Sequence, residues 1–339
     1  MLNVGRFGAM AAVVLMIVPV AACSPGQERA QDELTVYSGR SEQLVGPLFT
    51  QFTAETGIRV KARYGDSAEL AAQLTEEGSG SPAQVFFAQD AGALGAVDQA
   101  GMFAPLPDAA AEAVPAAYRA PKGTWTGVTG RVRVIAYDAE KVPTADVPRS
   151  VFELTEPRWK AQVAIAPTNA SFQAFVTAMR IADGDEATRR WLEGLVANDV
   201  RKYEKNGLIL DAVNSGQVEL GLINHYYWYE KEAEIGERDM RARIAFTEPG
   251  DPGSLVNVAG VGILKSAADV PGAARFVEWL LSPATQRWFV ANTFEYALIP
   301  SVPPAAGLPP LDSLRGPDVA IADLAGLPAT LAMLEDVGL

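Results

Sequence analysis

From residue 34 onward, short apolar runs alternate with amphipathic stretches in a strand, helix, strand, helix rhythm. Leu34-Thr35-Val36-Tyr37 is β-branched and aromatic, and Ser38-Gly39 turns the chain after it. Leu44, Val45, Leu48, Phe49 and Phe52 then recur at helical spacing until Gly57. Ile58-Arg59-Val60 alternates as a strand. Asp66 stands where it caps the next helix, with Glu69 as capping-box partner and Leu70 and Leu74 on the inner face. Gln84-Val85-Phe86-Phe87 predicts another strand and 91–99 an Ala-rich helix. Further strands are predicted at 131–137, 163–165, 221–223 and 258–264, and helices near 170–182, 186–197, 207–215 and 271–291. A last helical segment is expected near 318–337, after the Pro- and Gly-rich stretch 300–317. This succession predicts an α/β fold whose parallel strands are joined by crossover helices. At 339 residues the chain has the length for two lobes of ~150 residues each.

The pattern before residue 34 is different. Arg6 is the one charge in the first 22 residues, and the apolar stretch near 9–18 is too short for a ~30 Å hydrocarbon core, so it predicts a signal-peptide core. It ends in Val20-Ala21-Ala22-Cys23, followed by the polar run Ser24-Pro25-Gly26-Gln27-Glu28. Small residues directly before a lone cysteine resemble the bacterial lipoprotein cleavage box. The expectation is a lipoprotein signal peptide over 1–22, lipidation at Cys23 and a polar tether over 23–32. Such a protein works outside the cytoplasm, in the periplasm or facing the exterior, and is held to the cell membrane by a lipid anchor only.

Composition narrows the chemistry. The chain is 49% hydrophobic and 20% charged, which excludes an intrinsically disordered architecture. A formal charge of −13, from 41 acidic and 28 basic side chains, argues against nucleic acid as a partner. One cysteine excludes a disulfide framework, and one histidine excludes a multi-histidine metal site. There is no Gly-x-Ser-x-Gly elbow, no His-Glu-x-x-His and no spare histidine for a triad. A binding protein is expected, not an enzyme.

Three places carry binding chemistry. Asn224-His225-Tyr226-Tyr227-Trp228-Tyr229 directly follows the strand 221–223. Neighbouring side chains of a continuing strand face opposite sides, so two adjacent tyrosines converge on one point only where the strand gives way to another conformation. The helical run after Tyr229 puts that changeover at Tyr226 and Tyr227, outside a strand's carboxyl end, where open α/β sheets bind ligands. Phenolate oxygen suits a hard trivalent cation; an aromatic cluster closing a core is the competing reading. Tyr37-Ser38-Gly39-Arg40-Ser41 offers a helix start and an arginine fork, both of which favour anions. Pro167-Thr168-Asn169-Ala170-Ser171-Phe172 offers small hydrogen-bonding side chains at another helix start, where simple capping is the plainer reading.

At these places the sequence resembles the ferric-ion-binding proteins of bacterial ABC importers, in the type II periplasmic-binding superfamily. The matching segments include Leu34–Gly39, Ser81-Pro82-Ala83-Gln84-Val85-Phe86-Phe87, Gly130-Arg131-Val132-Arg133-Val134 and Ile165-Ala166-Pro167-Thr168. They continue with Lys205-Asn206-Gly207, Ile223-Asn224-His225-Tyr226-Tyr227-Trp228 and Asp251–Val256; Tyr-Tyr-Trp is the specific element. The resemblance implies a two-lobed fold with a hinge of two crossover strands and a cleft between the lobes. The N-terminal lobe is expected over 33–128 plus 258–307 and the C-terminal lobe over 129–257 plus 308–339. It implies Tyr226 and Tyr227 as ligands of Fe3+, and Asn169, Ser171, Asn206 and Asn224 as holders of a synergistic carbonate or phosphate. It also implies Arg40 as a carbonate holder, with Arg131 a weaker cleft candidate. The implied partner is an ABC permease with its cytoplasmic ATPase, served by a monomer.

The departures from that family matter as much. Where some members have a histidine and a glutamate ligand this chain has Ser41 and Gln89, and where others have a third tyrosine it has Phe172. Asp90 and Tyr64 stand nearby as possible substitutes. Two phenolates and a divalent carbonate exceed a trivalent charge by one, a surplus that Arg40 can balance. The alternative is an importer for an oxyanion or small organic acid that uses Arg40, Asn169 and Ser171 as its site.

Overall fold

The computed structural model describes residues 33–317 and 319–339, together with residues 1, 2 and 5. The signal-peptide, tether and Cys23 readings fall outside that description. The strands are β1 Glu33–Ser38, β2 Arg59–Tyr64, β3 Val85–Ala88, β4 Trp125–Asp138, β5 Val163–Ile165, β6 Arg201–Lys202, β7 Leu220–Asn224, β8 Ala242–Ala245, β9 Val256–Ile263 and β10 Tyr296–Ala297. The helices of the first part are α1 Glu42–Thr56, α2 Ser67–Glu77, α3 Ala91–Gln99 and α4 Asp108–Ala111. Those that follow are α5 Ala170–Asp183, α6 Asp185–Ala197, α7 Asn206–Asn214, α8 Tyr226–Ile235, α9 Pro271–Leu280, α10 Pro283–Thr293 and α11 Leu327–Asp336.

The strand order is β2-β1-β3-β9-β4-β7-β5-β6, with β8 and β10 also on β4. The expected parallel pairs are present, β1 with β2 and β3 and β5 with β6 and β7. The sheet is nevertheless mixed, because β4 and β9 run antiparallel to each other and to the strands they join. All residues of β4 are buried. Its first part, Trp125–Val132, pairs with β9, whereas Arg133–Tyr137 pairs with β7. The strand therefore changes partners between Arg131 and Arg133 and carries the chain from one set of strands to the other.

Separate cores flank this crossover. One gathers Leu34, Val36, Val85, Phe86 and Val261, with Phe52 and Phe276 edge to face at 5.1 Å. Another gathers Ile135, Phe172, Phe175, Trp191 and Leu222. Ile321 and Leu324 join the first core, and Met333 and Leu334 on α11 join the second.

The helix expected over 271–291 is two helices. Ser282 breaks it, accepting a hydrogen bond from the Thr285 amide while Pro283 takes the first turn of α10. The last helical segment is likewise a 3-10 turn over Ile321–Ala325 followed by α11. Asp66 caps α2 as expected, its carboxylate accepting from the Ala68 and Glu69 amides. A Cβ on Gly39 would fall 1.9 Å from Ser67 Oγ. Only glycine allows the end of β1 to pass this close to α2, and the turn delivers Arg40 to the interior.

Candidate functional site

The sequence-predicted residues converge on the stretch of β4 where its partners change. β7 ends at Asn224, and Tyr226 and Tyr227 open α8 directly after it. The backbone has turned helical by His225, which resolves the geometric problem of two tyrosines in sequence. Their rings stack at 4.4 Å with 26° between planes. Tyr226 is buried and Tyr227 half-buried. Burial, and then the neighbouring Tyr227, push the Tyr226 phenol well above its ordinary value, while the Arg131 charge opposes them.

Asn169 caps α5, its Oδ1 accepting from the Ser171 amide at 3.1 Å, from Ser171 Oγ at 2.5 Å and from Asn206 Nδ2 at 3.4 Å. Asn206 Nδ2 also donates to Ser171 Oγ at 3.2 Å, and Asn206 Oδ1 accepts from Arg133 at 3.4 Å. These three residues thus form one polar net at the starts of α5 and α7, with Arg133 beneath it. Asn224 is the cross-strand partner of Arg133. The Arg133 guanidinium lies over Phe172 at 5.8 Å and Phe175 at 5.6 Å. Burial draws its pKa down to about 9, against the pull of Tyr227. Phe172, where some family members carry a tyrosine, is a core residue under this arginine.

Arg40 is buried and ion-paired. Its two terminal nitrogens grip Glu295, NH1 to Oε1 at 3.0 Å and NH2 to Oε2 at 2.7 Å, with neither side chain exposed. Burial raises the Glu295 pKa, but Arg40 outweighs it and holds the carboxyl below its usual range. Thr129 and Thr293 hydroxyls donate to the same carboxylate at 3.1 and 3.2 Å. Arg40 Nε has no partner among the described residues, and both tyrosines act electrostatically on this guanidinium. The sequence reading missed Glu295, Arg133 and Glu230. Glu230 lies on α8 beyond the tyrosines, where burial, with Glu295 nearby, pushes its carboxyl up to about 7 against the pull of Arg40.

Ser41 is exposed at the start of α1, and Gln89 serves through its backbone, its carbonyl accepting from Arg131 and its amide donating to Ser67 Oγ. Asp90 caps α3, accepting from the Ala93 amide at 3.0 Å. Tyr64 stacks on Phe49 at 6.4 Å. Among the described residues no three His, Cys, Asp or Glu side chains come together as a metal-ligand set. Three buried guanidiniums face two buried carboxylates here, and burial raises the pKa of one of these, Asp90. The buried groups at the site are thus short of negative charge.

The family model of the bacterial extracellular solute-binding proteins matches residues 81–313. An Fe(3+)-binding periplasmic protein of Serratia marcescens is 34% identical over 321 residues, 94% of this chain and 95% of that one. The chain belongs to this family, in its ferric-ion-binding branch. Iron-bound HitA from Pseudomonas aeruginosa superposes with a TM-score of 0.85 at 34% identity, covering 91% of this chain and 99% of the other. The Trichodesmium protein IdiA (FutA), solved with iron and citrate ligands, superposes at 0.79 and 27% identity, covering 90% and 99%. The fold is that of the type II periplasmic-binding proteins. The relatives are solute-binding proteins, not enzymes, and no helix among the described residues is long and apolar enough to cross a membrane.

One residue of this family member has a structural duty that its place beside the tyrosines disguises. His225 Nδ1 accepts from the Val132 amide at 3.2 Å, so Nε2 carries the proton and donates to the Phe294 carbonyl at 2.8 Å. The imidazole therefore ties the tyrosine element to β4 and to the residue before Glu295. Burial lowers its pKa to about 4, against the Phe294 carbonyl. Because the unfolded chain takes up a proton at this ring from about pH 6.5 and the folded chain only near 4, stability falls as pH drops through that window. The ring's share is on the order of 3 kcal/mol. His225→Gln should flatten the fall, as read from urea midpoints at pH 7 and pH 4.5; an unchanged slope would remove the ring from this role.

Proposed function

We propose that this chain is an extracytoplasmic solute-binding lipoprotein that captures ferric ion together with a synergistic anion and delivers it to an ABC importer. The stacked Tyr226–Tyr227 pair, set where β4 changes partners and acting on the Arg133 that donates to Asn206 of the polar net, carries the reading. Tyr226 and Tyr227 serve as phenolate ligands. Asn169, Ser171, Asn206 and Asn224 orient carbonate or phosphate on the same ion, and Arg40, with Glu295 sharing its charge, sits behind them. The lobes 33–128 plus 258–307 and 129–257 plus 308–339 close over the ion because contacts from both sides favour the closed state. Lipidated Cys23 keeps a monomer at the membrane beside a permease with its cytoplasmic ATPase.

A second reading has an observation in its favour. The excess of buried guanidinium over carboxylate suits an oxyanion or small organic acid as the primary ligand. Metal analysis of protein purified without chelators separates the two. Near-stoichiometric iron is the expected result, and a metal-free protein that binds an anion tightly by calorimetry would transfer the function to the second reading.

A further inference from the structure

Phe294, the residue between α10 and Glu295, holds the left-handed conformation, with φ 54° and ψ 13°. Helices that end this way usually do so on glycine, because a Cβ there crowds the following carbonyl oxygen. The other non-glycine residues at positive φ among the described residues are Ala161 and Asp199, so Phe294 is the one with a large side chain. Its surroundings hold it there. Before it lies α10, and after it Glu295 is fixed by Arg40 and Tyr296 by its pairing with Gly130 on β4. A residue kept in a costly conformation by such fixed neighbours points to a functional duty.

The conformation delivers a double contact with the tyrosine element. A right-handed Phe294 would carry α10 onward, with its carbonyl along that helix. Left-handed, the same carbonyl accepts from His225 Nε2 at 2.8 Å. The Phe294 ring stacks on Tyr229 at 5.8 Å with 21° between planes. His225 directly precedes the tyrosine pair and Tyr229 follows it two residues on, in the first turn of α8. His225 also meets the Tyr226 ring edge-on at 6.0 Å. One residue outside α8 therefore grips the tyrosine pair from both ends. By the lobe division proposed above, that grip runs from one lobe to the other. A glycine at 294 would relieve the backbone and lose the stack, so the ring is what the strain maintains.

We infer that Phe294 is a positioning residue for the metal ligands: its carbonyl and its ring together fix the first turn of α8 and, with it, the directions of the two phenol oxygens. The inference rests on the ferric reading above and deepens it by naming what holds the ligands in place.

The test compares the wild-type protein with Phe294→Gly, which frees the backbone and removes the ring, and Phe294→Tyr, which keeps the ring. Chelator competition, the visible band of the ferric-loaded protein and the melting temperature of the metal-free protein are read for each. Phe294→Gly should lose about tenfold in ferric affinity, the scale of partners that orient a metal ligand, and its band should shift. Its melting temperature should stay within about 4 °C of wild type, because the relieved strain offsets the lost stack. Phe294→Tyr should keep wild-type affinity and band. Phe294→Asn, which also tolerates the left-handed conformation, keeps the test readable if the glycine variant folds poorly.

Wild-type affinity and an unmoved band in Phe294→Gly overturn the inference, as does a Phe294→Tyr variant that loses as much as the glycine one. An affinity loss that comes in both Phe294→Gly and Phe294→Asn with a larger fall in melting temperature is a fold defect and overturns it too. A wild type that takes up no ferric ion sinks the ferric reading alone. The positioning role is then judged by amide hydrogen exchange over residues 225–229 of the metal-free protein. Exchange at least tenfold faster in Phe294→Gly supports the role, and unchanged rates overturn it.

Discussion

Tyr226→Phe and Tyr227→Phe are each expected to cut ferric affinity by more than about 100-fold, since partners that only orient a metal ligand are already worth ~10–100-fold. Each substitution keeps the ring, and with it the 4.4 Å stack, so the fold should survive and the loss report oxygen alone. The chain has no carboxylate to step in at Gln89 and no histidine at Ser41, so neither variant has a substitute ligand. Competition against a chelator of known strength measures the effect. Retention of wild-type affinity by either variant would remove that tyrosine from the coordination shell.

Glu295→Ala should be the most damaging single change to stability. It strands the Arg40 guanidinium in the interior and takes the acceptor from Thr129. Removing one partner of a buried ion pair costs about 3–5 kcal/mol, whereas replacing both with apolar groups is often close to neutral. The melting temperature should therefore fall by roughly 10 °C in Glu295→Ala. The double variant Arg40→Met, Glu295→Leu should recover most of it. A double variant as unstable as the single one would mean that the loss comes from packing and not from the stranded charge.

Much of this architecture was legible because its signals are local. The β-branched run at 34–37, the Asp66 cap and the 91–99 helix each declare themselves within a few residues, and each is present. The early half of β4 lay outside the predicted strand 131–137, where Gly127 and Gly130 thin the apolar pattern and make room for Leu298 against the strand. β8 and β10 are short and pair with β4 only through contacts distant in sequence. The site divides along the same line. Asn224, Tyr226 and Tyr227 lie together in the chain, and Asn169 and Ser171 in another short segment, so pattern and resemblance found them. Arg40 was found without its partner because Glu295 is 255 positions away and its segment carries no motif.

The ferric reading depends on phenol oxygen binding iron. The most direct measurement is the visible absorption spectrum of the ferric-loaded protein, recorded beside the Tyr226→Phe, Tyr227→Phe double variant. A phenolate-to-iron charge-transfer band that appears with one equivalent of ferric ion and is missing in the double variant is the predicted result. A wild-type protein that holds ferric ion tightly yet stays colourless would contradict it.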